Sequence, residues 1–233
     1  PSDIIVPWNK MHTATFTALN LIVPEYRPDA LEEFLTWPKA LEHFSLVGLT
    51  WLPNTPKGYD LSVLGRMLHV HRETLKSITL GRVDRRRPGC IDTANFPNLE
   101  SLQLCTCSLA CSPEVAASKL LSPQLHILIL DYNKECEGAS IWTAFRAGDA
   151  KWVRRFAELA SARESSLRKI KILFRPGVGQ LQLVSGLKTF RYPWDLMTEL
   201  RDAIQPRGIA LSYQSPCISR EEFEKIRRES SPD

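Results

Sequence analysis

The sequence predicts an α/β fold, an irregular solenoid in which a curved parallel sheet of about seven strands is backed by helices. Two observations predict it. First, a short pattern recurs six times: leucine (or Phe), two residues, an aliphatic residue (or Phe), one residue, then leucine or isoleucine. It occurs at Phe16-x-x-Leu19-x-Leu21, Leu41-x-x-Phe44-x-Leu46, Leu75-x-x-Ile78-x-Leu80, Leu99-x-x-Leu102-x-Leu104, Leu125-x-x-Leu128-x-Leu130 and Leu167-x-x-Ile170-x-Ile172. Second, most of the intervening segments carry apolar residues at a period near 3.6, the mark of a helix with one buried face. Strands alternating with helices pair in parallel through right-handed crossovers.

The third unit extends the pattern to Leu99, Leu102, Leu104, Cys107 and Leu109, and the fourth continues to Asn133. That is the longer leucine-rich-repeat consensus, in which each unit buries its apolar face only against its neighbours. The array is irregular, and the stretch from Leu125 to Leu167 is its longest interval. A weaker seventh strand fits Ile209-x-Leu211-x-Tyr213.

The connecting segments follow in order. Pro28 and Asp29 open a helix with Leu31, Phe34 and Leu35 on one face. Asp60 is placed to cap a second, carrying Leu61, Leu64, Met67 and Leu68. The stretch from Gly81 to Asn98, with its Arg-Arg-Arg-Pro-Gly, reads as a loop. Ser112-Pro113 gives an N-cap and a first-turn proline for a short helix ending near Leu121. The longest helix is expected from about Ala150 to Ser165, and another carries Leu196, Leu200 and Ile204. Ser219-x-x-Glu222 is a capping box opening a last helix that buries Phe223 and Ile226. Residues 1–12 read as an extension, 13–215 as the repeat domain, and 216–233 as a capping helix and tail.

Side chains alternate along a strand, so leucines turned inward leave an outward ladder. It runs from Ala18, Asn20, His43, Ser45, Ser77 and Thr79 through Ser101, Gln103 and Cys105 to Ile127, Ile129 and Asp131, then Lys169, Lys171, Ala210 and Ser212. An outward isoleucine pair between polar neighbours is the pattern of a binding patch, and equally of a surface that the C-terminal tail covers. Ser101, Gln103, Ile127, Ile129, Asp131, Lys169 and Lys171 are therefore the expected partner contacts.

Composition narrows the function classes. With 233 residues, 43% of them hydrophobic and 24% charged, the chain can bury a large core. Its net charge of +4 is mild, and cationic residues alternate with acidic ones rather than forming a stripe, so no nucleic-acid partner is expected. Only Arg85-Arg86-Arg87 stands out, and it reads as a solvated loop. No run nears the roughly 18 apolar residues that cross a bilayer, so no membrane partner is expected.

Nor does the sequence carry a Gly-x-Ser-x-Gly elbow, a phosphate loop or His-Glu-x-x-His. His69 and His71, two apart on a helix, face different ways. Paired zinc ligands have two to four residues between them and need a fourth ligand, which Cys105-x-Cys107 and a cluster of three do not meet, and the repeat consensus explains Cys107 as a buried residue bonding the turn backbone. The six cysteines read as reduced thiols. Trp37, Trp142, Trp152 and Trp194 fall at core spacing. The expectation is a binding chain with no catalytic residue, no metal and no cofactor.

Four stretches carry a resemblance: Leu35-Thr36-Trp37-Pro38-Lys39-Ala40-Leu41-Glu42-His43-Phe44; His71-Arg72-Glu73-Thr74-Leu75-Lys76-Ser77-Ile78; Ile141-Trp142 through Trp152-Val153-Arg154-Arg155-Phe156-Ala157 to Leu167-x-x-Ile170; and Tyr192-Pro193-Trp194-Asp195-Leu196. Together they resemble the region that follows the F-box in filamentous-fungal F-box proteins with degenerate leucine-rich repeats. The resemblance spans about residues 13 to 225 and implies the substrate-recognition part of a Skp–cullin–F-box ubiquitin ligase receptor. It implies a protein substrate as partner and an intracellular place, cytoplasmic or nuclear. No Leu-Pro-x-Glu-[Ile/Leu] opening precedes Phe16, so a Skp-type adaptor is expected only with an F-box upstream of Pro1. The alternative is a leucine-rich-repeat scaffold unrelated to ubiquitination.

Overall fold

The computed structural model describes residues 10–22, 28–47, 61–81, 89–133, 141–177 and 190–229. Asp60 and Arg85 to Arg87, singled out above, and Cys136, one of the six cysteines, lie outside these residues.

Seven strands form one open parallel sheet in chain order: β1 (Ala18–Ile22), β2 (His43–Val47), β3 (Ser77–Leu80), β4 (Ser101–Cys105), β5 (Ile127–Asp131), β6 (Lys169–Leu173) and β7 (Ala210–Tyr213). Each begins one or two residues after its motif's first residue and ends at the motif's last residue or one beyond it. The motif leucines explain why. Phe44, Leu46, Ile78, Leu80, Leu102, Leu104, Leu128, Leu130, Ile170 and Ile172 are all at most 1% exposed. Each such side chain contributes about 1.5–3 kcal/mol on leaving water.

Register is held at the N-terminal edge of the sheet by a repeated backbone device. The carbonyls of Thr17, Glu42, Lys76, Glu100 and His126 each accept two successive N–H groups from the next unit, at 2.7–3.1 Å. The first motif residue of each unit thereby aligns with that of the next.

Among the described residues, six α-helices lie between or after the strands: α1 (Pro28–Leu35), α2 (Leu61–Leu68), α3 (Pro113–Leu120), α4 (Ala147–Ala162), α5 (Pro193–Ile204) and α6 (Arg220–Glu229). In α3 the Ser112 hydroxyl accepts from the Val115 N–H, and Pro113 occupies the first turn. The α6 capping box is complete: Ser219 N–H donates to Glu222 at 2.8 Å and Glu222 N–H to the Ser219 hydroxyl at 3.1 Å.

Two expectations change. α4 begins and ends about one turn earlier than the periodicity suggests. Its start is set by the Arg146 N–H, which donates to the Asp149 carboxylate at 2.9 Å. Its end is a Schellman turn: Ser165 N–H bonds Ala160 O, Glu164 N–H bonds Ser161 O, and Glu164 takes φ +52. The second change concerns Trp152 and Trp37, which are half-buried rather than core residues. Trp152 stacks on Phe156 and donates its indole N–H to Cys111 O at 2.8 Å, so its outer edge stays wet.

Gly89 to Asn98 carries no helix, and it is a buried loop. Cys90, Ile91, Thr93 and Phe96 are inside, and Thr93 satisfies itself on the carbonyls of Lys119 and Leu120 at the end of α3. At the other end of the sheet, Trp142, Phe174, Tyr192, Trp194 and Phe223 pack ring to ring, with centroids 5.2–6.5 Å apart. The Trp142 and Trp194 indoles each donate at 2.8 Å, to Gly177 O and Gln214 O.

Candidate partner-binding face

The inward residues of β2 to β6 are buried, and Leu19 and Leu21 of β1 and Tyr213 of β7 are half-buried against the same core, so the helices cover one face and leave the alternate residues on the other. Because the register does not slip, those residues line up in rows across the sheet. One row is Ala18, His43, Ser77, Ser101, Ile127, Lys169 and Ala210. The next is Asn20, Ser45, Thr79, Gln103, Ile129, Lys171 and Ser212. Asp131 stands in a third row, opposite Cys105 and Leu173. The structure thus brings together all seven residues expected as contacts.

Their surroundings differ. Ser101, Gln103, Ile127, Ile129, Asp131 and Lys171 are half-buried, and Lys169 is exposed. Among the described residues, none forms an ion pair with Lys169 or Lys171. Asp131 is partly spent on local structure: its carboxylate accepts the Asn133 N–H at 2.9 Å and its carbonyl the Thr106 hydroxyl at 3.2 Å. On the polar side of the face, the His43 ring bonds the Ser77 hydroxyl at 2.8 Å. At the N-terminal edge, Lys76 bridges to Glu42 at 2.8 Å, and this contact holds the Glu42 carboxyl below its usual range.

β5, Ile-Leu-Ile-Leu-Asp, carries aliphatic residues on both faces, as strands of fully covered parallel sheets do. The contacts that seat α6 run to Trp142, Tyr192 and Asp195, and Ile127 and Ile129 keep part of their surface open. Neither a family model, nor a curated protein, nor a solved structure matches this chain. The face has an apolar centre, with Lys169 and Lys171, unpaired among the described residues, along one side.

One ladder assignment is overturned. Cys105, expected to face outward, is 1% exposed, while Cys107, expected inside, is half-buried. The reason is the 3₁₀ turn Thr106–Ser108, which folds Cys107 back over the end of β4. A strand pattern cannot show a turn that covers its own last residue.

A second concavity, about 600 Å³, lies between α3 and α4, around Pro113, Gly148, Lys151 and Trp152. Arg155 there pairs with Glu114 and Glu158, Arg154 and Arg207 also reach Glu158, and Lys151 forms no ion pair among the described residues. Among the described residues, no group of three His, Cys, Asp or Glu is placed to hold a metal.

Proposed function

We propose that this chain is a protein-interaction module whose outward sheet face holds a partner segment, and that it is the substrate-recognition part of a Skp–cullin–F-box ubiquitin ligase receptor. The fold reading that goes with it is an irregular leucine-rich-repeat solenoid. The observation that carries the binding reading is the Ile127–Ile129 pair, half-open between Ser101 and Gln103 on one side and Lys169 and Lys171 on the other. The ligase reading rests on the resemblance of the four sequence stretches. The partner that fits is an apolar segment flanked by carboxylates, because the apolar pair supplies affinity and the lysines supply orientation.

Function on this reading is proximity: the chain holds a target and contributes no catalytic group, and a Skp-type adaptor joins only through an F-box upstream of Pro1. Two measurements test it. Proteins that co-purify with the wild-type chain should be lost with Ile129→Asp while its circular dichroism is unchanged; equal recovery rejects the face. The natural full-length product should bind a recombinant Skp adaptor. If it does not, the ligase reading falls and a repeat scaffold unrelated to ubiquitination takes its place.

A further inference from the structure

Three cysteines lie between residues 105 and 111, and Cys90 is drawn alongside where Gly89 bridges to Leu109. None of the four is in a disulfide. Two contacts between them stand out among the described residues. Cys105 Sγ and Cys107 Sγ stand 2.9 Å apart, inside ordinary sulfur contact and short of the roughly 2.05 Å of a bond. Cys90 and Cys111 lie beside each other, and their interaction raises the Cys90 thiol and lowers that of Cys111.

We propose that Cys105 and Cys107 are a redox-sensitive dithiol, which closes to an intrachain disulfide when the protein meets a low-molecular-weight disulfide. Access assigns the roles. Cys107 is half-buried and reachable from solvent, whereas Cys105 lies beneath the turn at 1% exposure. Burial and the contact with Cys107 hold the Cys105 thiol protonated, so it enters second.

In the first step the Cys107 thiolate attacks one sulfur of the reagent RS–SR. That S–S bond breaks, one RS⁻ leaves, and Cys107 carries a mixed disulfide. In the second step Cys105 gives up its proton and attacks Cys107 Sγ, expelling the other RS⁻. The two thiols lose two electrons and two protons; the reagent gains both and leaves as two RSH. Cys111 does not intervene, because its sulfur interacts with Cys90. The pair sits where Cys105 registers against Asp131, at one margin of the outward face, but the proposal stands without the partner-binding reading.

Exposed Cys217 serves as an internal reference. The intact protein is equilibrated in mixtures of reduced and oxidised glutathione, its free thiols are alkylated, and peptides are mapped by mass. The expected result is a Cys105–Cys107 bridge, with two hydrogens lost and no alkylation, while Cys217 retains glutathione as a lone thiol does. In Cys107→Ser, Cys105 should stay reduced. The proposal is overturned if Cys107 keeps glutathione, if it bridges to Cys111, or if both thiols still alkylate after Cys217 is consumed. The wild-type mapping alone decides between these outcomes, even where the variant folds poorly.

Discussion

His71 donates its Nε2–H to the carbonyl oxygen of Leu35 at 2.7 Å, with the ring 3% exposed. The bond ties the turn after α2 to the end of α1, one repeat back. Both polar groups are thereby satisfied inside the core. His69, two residues earlier, points to solvent, where it meets Arg72 at 2.8 Å.

That burial predicts an acid-sensitive fold. Desolvation holds the His71 pKa below its ordinary 6.5, and the bond to Leu35 opposes this only in part. The unfolded chain therefore binds this proton at a higher pH than the native chain does. The stabilising contribution is fully present above 6.5, and it is lost as pH falls from there through the lowered native value. In urea titrations, His71→Gln should flatten the wild-type decline below 6.5, and equal slopes would exclude His71 as its source. His71→Leu should cost about 1–3 kcal/mol at neutral pH, since the Leu35 carbonyl is left buried without a donor.

Glu164 occupies the left-handed position that closes α4, at φ +52. A side chain there costs roughly 1–2 kcal/mol, and glycine avoids that cost. Glu164→Gly should raise the unfolding midpoint by an amount worth up to about 1 kcal/mol, once glycine's greater freedom in the unfolded chain is subtracted. Thermal or urea unfolding reads this directly, and a lower midpoint would count against the assigned turn.

The two faces of β5 predict opposite outcomes for adjacent residues. Leu130 is 0% exposed among core residues, and Leu130→Ala should cost about 2–5 kcal/mol. Ile129 is half-buried on the open face, and Ile129→Ala should cost clearly less, near about 1 kcal/mol. The ranking is the test. If Ile129 proves the costlier deletion, the strand faces are inverted, because a one-residue slip exchanges every side chain.

Much of this was legible in the sequence because the repeat ties each residue's face to its position in the motif. Leu99, Leu102 and Leu104 could only be inward if Ser101 and Gln103 were outward, and the same logic places Lys169 and Lys171. What escaped depends on neighbours that a local pattern does not name. His71 finds its acceptor 36 residues back, in another unit. Cys105 is covered by a turn of its own chain, and Trp152 is half-open because its indole reaches Cys111. The aromatic cluster around Trp142 draws on four separate segments, although Trp142, Trp194 and Phe223 each read as core taken alone.

Phe223 is the residue that seats α6. It is 1% exposed, with ring centroids 5.9 Å from Trp142 and 5.4 Å from Tyr192, while the other residues of α6 are half-buried or exposed. A helix this short is marginal in water by itself, whatever its cap. Removing the ring therefore releases the helix rather than leaving a cavity beneath it. In Phe223→Ala, trypsin should cut faster at Lys225, Arg227 and Arg228. The urea midpoint should fall by less than the roughly 3–5 kcal/mol of a deletion deep in a core, because undocking caps the loss. Unchanged tryptic rates would mean that Arg220–Asp195 and the bond from Arg227 to Phe190 O hold the helix instead. Those contacts are solvent-facing or single, worth about 1 kcal/mol or less each, so the ring should dominate.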